Sequence, residues 1–425
     1  MTRPPSCAIP AAMLDRLEER PILLAILIGI AAQLLFTIGL NRPSILNFDE
    51  VHYVTAARVL IALSHAANPE HPLLGKSLIA LGMLIFGDNP IGWRALSTLA
   101  GTATVVGVYV LTLALTRATR PALFAALFTM LGQMVFVQAR IGMLDVFMGA
   151  FLVCAAVAFV NAMHGTRRGA AMTSWTVTAA LLGASVAVKW AAVPYVAFAA
   201  IAFLWLRRGH PDRFGGMPWL TGLAILGGIS IPLYFLTFAP AFFYAQNPLT
   251  LAKLIPFQLE MWELQTQVLA PHNYQSSWWS WPLMLRPMWY FYEPDQGAVR
   301  GVLLIGNPAI LWGGLVAVLA CWWAGIRQKA GVPLAVAILW TFSLGIWAII
   351  PKSLGFFYYY YLSSIILCIV LAVAFHHWRD SVKQRDDWFL VLCVALFAYF
   401  YPTLAALPLA SDRGFERWIW IPSWA

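Results

Sequence analysis

Apolar runs of about the length that crosses a bilayer recur along this chain, separated by short polar clusters. Eleven such runs lie near 21–40, 93–115, 121–138, 142–163, 172–188, 190–206, 218–238, 301–323, 333–350, 355–375 and 388–406. Each predicts a helix, because lipid offers no partner to an open sheet edge. The stretch Ser77–Phe86 is apolar but too short to span, and predicts a segment that lies in the interface or re-enters. The run from Pro21 to Leu40 lacks a clear small-residue cleavage site and predicts an uncleaved first span. The expected fold class is therefore an all-α polytopic membrane protein, a single unit over 1–425 with no internal repeat. It would have a short N-terminus (1–20), two larger loops (41–92 and 239–300) and a last group of helices (301–425).

Charge orients this pattern. One alternate set of loops holds the N-terminus, Thr116–Arg120, His164–Ala170, Arg207–Met217, Ala324–Gly331 and His376–Asp387. It carries 15 Lys and Arg against 7 Asp and Glu; the rest of the chain carries 12 against 11. Lys and Arg in short loops mark the cytoplasmic side. The N-terminus is then expected in the cytoplasm, and both large loops outside the inner (plasma) membrane. Polar residues concentrated on one face suggest chemistry on that face.

Composition narrows the classes. Of 425 residues, 61% are hydrophobic and only 11% charged, with a mean hydropathy of +0.75. Soluble domains carry about 25% charged residues. The net charge of +9 falls in membrane-flanking clusters, which argues against a nucleic-acid partner. Cys7, Cys154, Cys321, Cys368 and Cys393 form no CxxC pair, so neither a disulfide framework nor a zinc site is expected. A transporter remains a rival class. It should place polar groups near the midplane, often in paired broken helices, whereas these motifs lie to one side.

Several clusters could carry chemistry. Asp49-Glu50, in Phe48-Asp49-Glu50-Val51-His52-Tyr53, leaves the membrane just after the first run. It reads either as a solvated turn or as a general base whose pKa is raised beside low-dielectric surroundings. Lys76, in His71-Pro72-Leu73-Leu74-Gly75-Lys76, suits a phosphate or is a snorkelling interfacial lysine. Arg140 and Asp145 flank an expected tight turn, as a structural pair or as functional groups. Arg94, Lys189-Trp190 and Lys352 fall on the same side, and with Arg140 form a candidate cationic ring. The tryptophan-rich stretch with Trp281 and Arg286 reads as an interfacial belt or a sugar-stacking surface. Asn307 opens a later span, and Tyr359 follows Lys352 into another.

Taken in order, these motifs resemble a known family. They are Phe-Asp-Glu-x-His-Tyr (48–53), His-Pro-x-Leu-Gly-Lys (71–76), Gln-x-Arg-x-x-Met-Leu-Asp (138–145), Val-Lys-Trp (188–190), Trp-Ser-Trp-Pro-Leu-Met-x-Arg (279–286) and Gly-Asn-Pro (306–308). The set resembles the protein O-mannosyltransferases, in a bacterial form. The resemblance implies the GT-C membrane glycosyltransferase fold. It also implies an inverting transfer of mannose from a polyprenyl (dolichyl-type) phosphate to Ser or Thr hydroxyls of exported proteins, with no need of a nucleotide sugar, cofactor or metal. By that resemblance Asp49 is the base and Glu50 orients the acceptor or sugar. Arg140, Lys76, Arg94 and Lys352 would bind the carrier phosphate. His52, Tyr53, His71, Asp145, Lys189, Trp190, Trp281, Arg286, Asn307 and Tyr359 would line the substrate site. Expected partners are the lipid-linked donor, the acceptor polypeptide, membrane lipids and the secretion machinery. A related transferase with a lipid A-like acceptor is the nearest alternative.

Overall fold

A computed structural model describes residues 20–424 apart from 383, 384 and 412; the expected cytoplasmic segment 1–20 therefore lies, but for Arg20, outside the described residues. The chain opens with α1 (Pro21–Thr37), α2 (Glu50–Ile61), α3 (Leu74–Phe86), α4 (Pro90–Thr116), α5 (Thr119–Met130), α6 (Gln133–Gln138), α7 (Leu144–His164) and α8 (Arg168–Val188). It continues through α9 (Val193–Gly209), α10 (Trp219–Leu236) and α11 (Leu251–Thr266). A hairpin, β1 (Met288–Asp295) and β2 (Ala298–Leu304), precedes α12 (Pro308–Arg327), α13 (Gly331–Gly345), α14 (Tyr361–His377) and α15 (Arg385–Leu404).

Among the described residues, nine helical segments are long and apolar enough to cross a membrane. The two other expected runs behave differently. Residues 21–40 yield the 17-residue α1, about 26 Å long at 1.5 Å per residue. Residues 121–138 are split into α5 and α6 by a break at Leu131-Gly132. The expected short segment near Ser77–Phe86 is the 13-residue α3.

Local signals explain several boundaries. Pro90 and Pro308 occupy first-turn positions where no backbone donor is needed. Asn89 caps α4 by accepting from the Ile91 and Gly92 amides, and Asn307 caps α12 by accepting from the Ala309 amide. In the centre, α14 is buried along nearly its whole length. Small residues let helices approach it: a Cβ on Gly314 would fall 2.4 Å from Leu367, and one on Gly149 2.7 Å from Tyr361.

The hairpin is a departure from the all-helical expectation. Its strands pair antiparallel from Met288↔Leu304 to Asp295↔Ala298, around a Gln296-Gly297 turn with positive φ at both residues. The span expected to start at 301 begins instead at Pro308, because 298–304 is strand. At one end of the bundle, Arg120 pairs with Asp386 and Asp387, tying two of the arginine-rich loops together. The acidic and aromatic motifs gather elsewhere, around the loops after α1, α6 and α8.

Candidate active site

Asp49 and Glu50 have opposite environments. Glu50 is fully buried, and Arg94 reaches it through Nε–Oε1 and Nη2–Oε2 contacts of 2.7 Å each. The same carboxylate accepts from the amides of Asn47 (2.9 Å) and Gly142 (2.7 Å). Arg94 spends its remaining donors on the carbonyls of Leu40, Pro43 and Ile45. This pair bolts the loop after α1 to α4 and to the turn before α7. The fit is bidentate and every partner is supplied by protein.

Asp49, one residue earlier, is only partly buried, at the start of α2. Its Oδ2 accepts a 3.3 Å bond from the Tyr53 hydroxyl. Burial raises its carboxyl above the usual aspartate value; Lys189 and His52 pull the other way, and Asp145 adds to the rise. Of the acidic pair, Asp49 is the one able to accept a proton from a substrate hydroxyl.

Around it, Lys189 Nζ lies 2.9 Å from both Asp145 oxygens. It also sits 5.0 Å from the Tyr358 ring centroid and 5.5 Å from that of Tyr359. Tyr53 packs on His71, ring centroids 5.9 Å apart. Burial, reinforced by repulsion from Lys189, Lys76 and Lys352, holds His71 well below its usual value, so its imidazole is neutral. His71 Nδ1 is 3.2 Å from the Gln265 amide nitrogen, and Lys352 donates to Gln265 Oε1 at 2.6 Å. Tyr359 stacks on Trp347 (4.5 Å, 9°), and buried Trp281 meets both rings edge-on. His52 is exposed beside Asp49.

Other expected site residues are engaged elsewhere, and the cationic ring is corrected accordingly. Arg140 donates to the carbonyls of Leu35, Phe36, Ile38 and Gly39. It closes the C-terminus of α1, where free carbonyls and the helix dipole favour a cation. Lys76 donates to the carbonyls of Ala67, Asn68 and His71. With Arg94 on Glu50, these three buried cations are held by protein oxygens, as Lys189 is by Asp145. Lys189 and Lys352 are the cations that face the Asp49 region. Asn307 donates to the carbonyls of Leu131 and Cys393, inside the bundle. Arg286 lies over Tyr274 and donates to the Asn273 and Ser423 carbonyls. Trp190 donates to Tyr234. Tyr234 also lines a mainly apolar crevice of about 230 Å³ between α8, α9 and α10, with Gly183, Val186, Val196, Ile231 and Phe235. Gln265, Tyr358 and Tyr290 were not singled out in the sequence. Each lies in a loop, strand or helix whose placement depends on distant contacts.

Among the described residues, no three His, Cys, Asp or Glu side chains gather in a way that could hold a metal ion.

The fold and this site define a multi-pass membrane glycosyltransferase of the GT-C class. Residues 84–245 match the family model for dolichyl-phosphate-mannose-protein mannosyltransferase. Residues 250–424 match that for the C-terminal four-transmembrane region of protein O-mannosyltransferase. The chain belongs to the protein O-mannosyltransferase family. It is 28% identical over 459 residues to the polyprenol-phosphate-mannose–protein mannosyltransferase of Mycobacterium tuberculosis, covering 89% of this chain and 86% of that protein. Identity to the Corynebacterium glutamicum protein of the same name is 25% over 464 residues, covering 89% and 88%. In fold it resembles the S. cerevisiae protein O-mannosyltransferase Pmt1-Pmt2 complex bound to the sugar donor (TM-score 0.81, 14% identity, 96% of this chain and 93% of that one). It also resembles ArnT from Cupriavidus metallidurans bound to undecaprenyl phosphate (TM-score 0.59, 18% identity, 88% and 63%).

Proposed function

We propose that the protein moves a mannosyl group from a polyprenyl-phosphate carrier to a Ser or Thr hydroxyl of an exported polypeptide, with Asp49 as general base. The observation that carries this reading is the division of labour in the acidic pair. Glu50 is saturated by Arg94 and two amides, while Asp49 is partly open and its carboxyl is raised. As the acceptor oxygen attacks the anomeric carbon, its proton passes to Asp49 and the carrier phosphate leaves with the bonding pair. A phosphate is a weak base and needs no acid; fixed cations stabilise its charge instead. Lys352, held by one neutral amide oxygen, and Lys189 are the groups placed for that task. Displacement with a single base on the acceptor side inverts the anomeric centre.

The crevice between α8, α9 and α10, next to Trp190, offers apolar walls to the start of the carrier's tail. Arginine-rich loops at the opposite end support an extracytoplasmic site in the inner membrane, where acceptors arrive from the secretion machinery. The donor is a substrate, so this reading calls on no separate cofactor.

The test is transfer from a polyprenyl-phosphate mannose to Ser/Thr peptides and, in parallel, to lipid acceptors. Wild-type enzyme should glycosylate the peptides, and Asp49→Asn should lose about 10²–10⁴-fold in turnover while still binding donor. Wild-type turnover in the folded Asp49→Asn variant removes Asp49 as the base. Transfer to lipid alone replaces the acceptor.

A further inference from the structure

Phe48, immediately before Asp49, has φ of +51°. A bulky side chain rarely occupies this left-handed region, and one persists there only where surrounding contacts over-determine it. Those contacts are present. The Phe48 ring stacks on Tyr290 with centroids 4.1 Å apart and planes 9° from parallel. The Tyr358 ring meets Phe48 edge-on at 6.0 Å and 70°.

Tyr290 reaches that position through an irregularity in the hairpin. The strand register jumps between Trp289, opposite Leu303, and Phe291, opposite Val302, so Tyr290 is the unpaired extra residue. A bulge of this kind re-aims one side chain. The hydroxyl of Tyr290 accepts from Gln138 at 3.2 Å. The hairpin grips the same loop a second time. Near its tip, Asp295 accepts from the Ser44 amide at 3.1 Å and from the Ser44 hydroxyl, while Arg300 Nε lies 3.4 Å from the same Oδ2 that takes the amide.

Asp49 therefore stands between two anchored neighbours, Glu50 on Arg94 and Phe48 on Tyr290. We propose that Tyr290 is a positioning residue of the transfer reaction: its stack on Phe48 holds the strained turn that aims Asp49 at the acceptor hydroxyl. The hairpin is then a brace for the base, coupling the second large loop to the first. This rests on Asp49 being the base. Losing the brace lets Phe48 relax toward negative φ and swings the Asp49 carboxylate away, without touching the donor phosphate.

The experiment measures kcat and donor KM for Tyr290→Phe, Tyr290→Leu, Tyr290→Ala, Phe48→Ala and the Phe48→Ala/Tyr290→Ala double variant, with Asp49→Asn in parallel. All are compared at matched thermal stability in detergent. Tyr290→Phe keeps the stack and should stay within about twofold of wild type. Tyr290→Ala and Tyr290→Leu should lose about tenfold or more in kcat, with donor KM unchanged, since small misplacement of a catalytic group is costly. The double variant should lose no more than either single one. Wild-type kcat in folded Tyr290→Ala, or equal loss in Tyr290→Phe, overturns the brace. So do additive losses, or a loss borne by KM. If Asp49→Asn is itself active, the base assignment fails, whatever Tyr290 does.

Discussion

Glu50 and Arg94 form a fully buried bidentate ion pair, both contacts 2.7 Å, that joins the loop after α1 to α4 across 44 residues of chain. The pair leaves neither partner a role at the substrate surface. Its neighbour Asp49 is the carboxylate of the pair that the protein leaves partly open.

Removing one member of such a pair strands a buried charge, at a cost of about 3–5 kcal/mol. Arg94→Met should therefore destabilise the protein by that order, by stranding the Glu50 carboxylate. Glu50→Gln should do so too, because it strands the Arg94 guanidinium and its single amide oxygen can accept from only one of the Gly142 and Asn47 amides, which donate to different oxygens of Glu50. Chemical denaturation in detergent measures both. An unchanged unfolding midpoint in Arg94→Met contradicts the structural assignment.

The pH profile should have two limbs. Asp49 must be ionised to accept a proton, and burial raises its carboxyl. Activity should then fall as the pH drops through a value raised above that of an ordinary aspartate. Burial first, and then repulsion by Lys189, lower Lys352 to about 8, against the pull of Glu70. It loses its charge as the pH rises through that value, so kcat/KM for the donor should decline there. A bound phosphate favours the ammonium form and should move this limb upward in kcat. Lys352→Arg should erase the alkaline limb; its persistence assigns that limb to another group.

Lys352 differs from the other basic residues near the site in having one neutral side-chain partner, Gln265, that a phosphate oxygen can replace. A hydrogen bond to a charged group contributes about 1.5–3 kcal/mol, so Lys352→Gln should raise donor KM about 10- to 100-fold. Steady-state kinetics with varied donor checks this. An unaltered KM leaves Lys189 as the phosphate contact.

Much of this was legible in the chain itself. Apolar run lengths gave the helices, and loop charge separated the two ends. The acidic pair, His71, Lys189 and Lys352 stood out as ionisable groups beside apolar stretches. Their spacing could not say which were free. In sequence Lys76 reads as an interfacial lysine and Arg140 as a partner of Asp145 or a functional group, yet the carbonyls of Ala67–His71 and Leu35–Gly39 hold them, and Asp145 pairs with Lys189. The hairpin was hidden because residues 301–304 run into the apolar helix that follows, and a short apolar stretch has no period of its own to mark it as strand.

Hydrophobic run length and charge placement act locally, so the amino-acid order alone determined a multi-pass helical protein with its reactive residues toward one end. Whether an ionisable group is spent or available depends on which backbone oxygens and rings meet it. For Asp49, Glu50, Arg94 and Phe48 those partners come from residues tens to hundreds of positions away. Only the tertiary structure decided that Glu50 is held by Arg94 and two amides, that Asp49 is left partly open, and that Tyr290 stacks on Phe48 beside it.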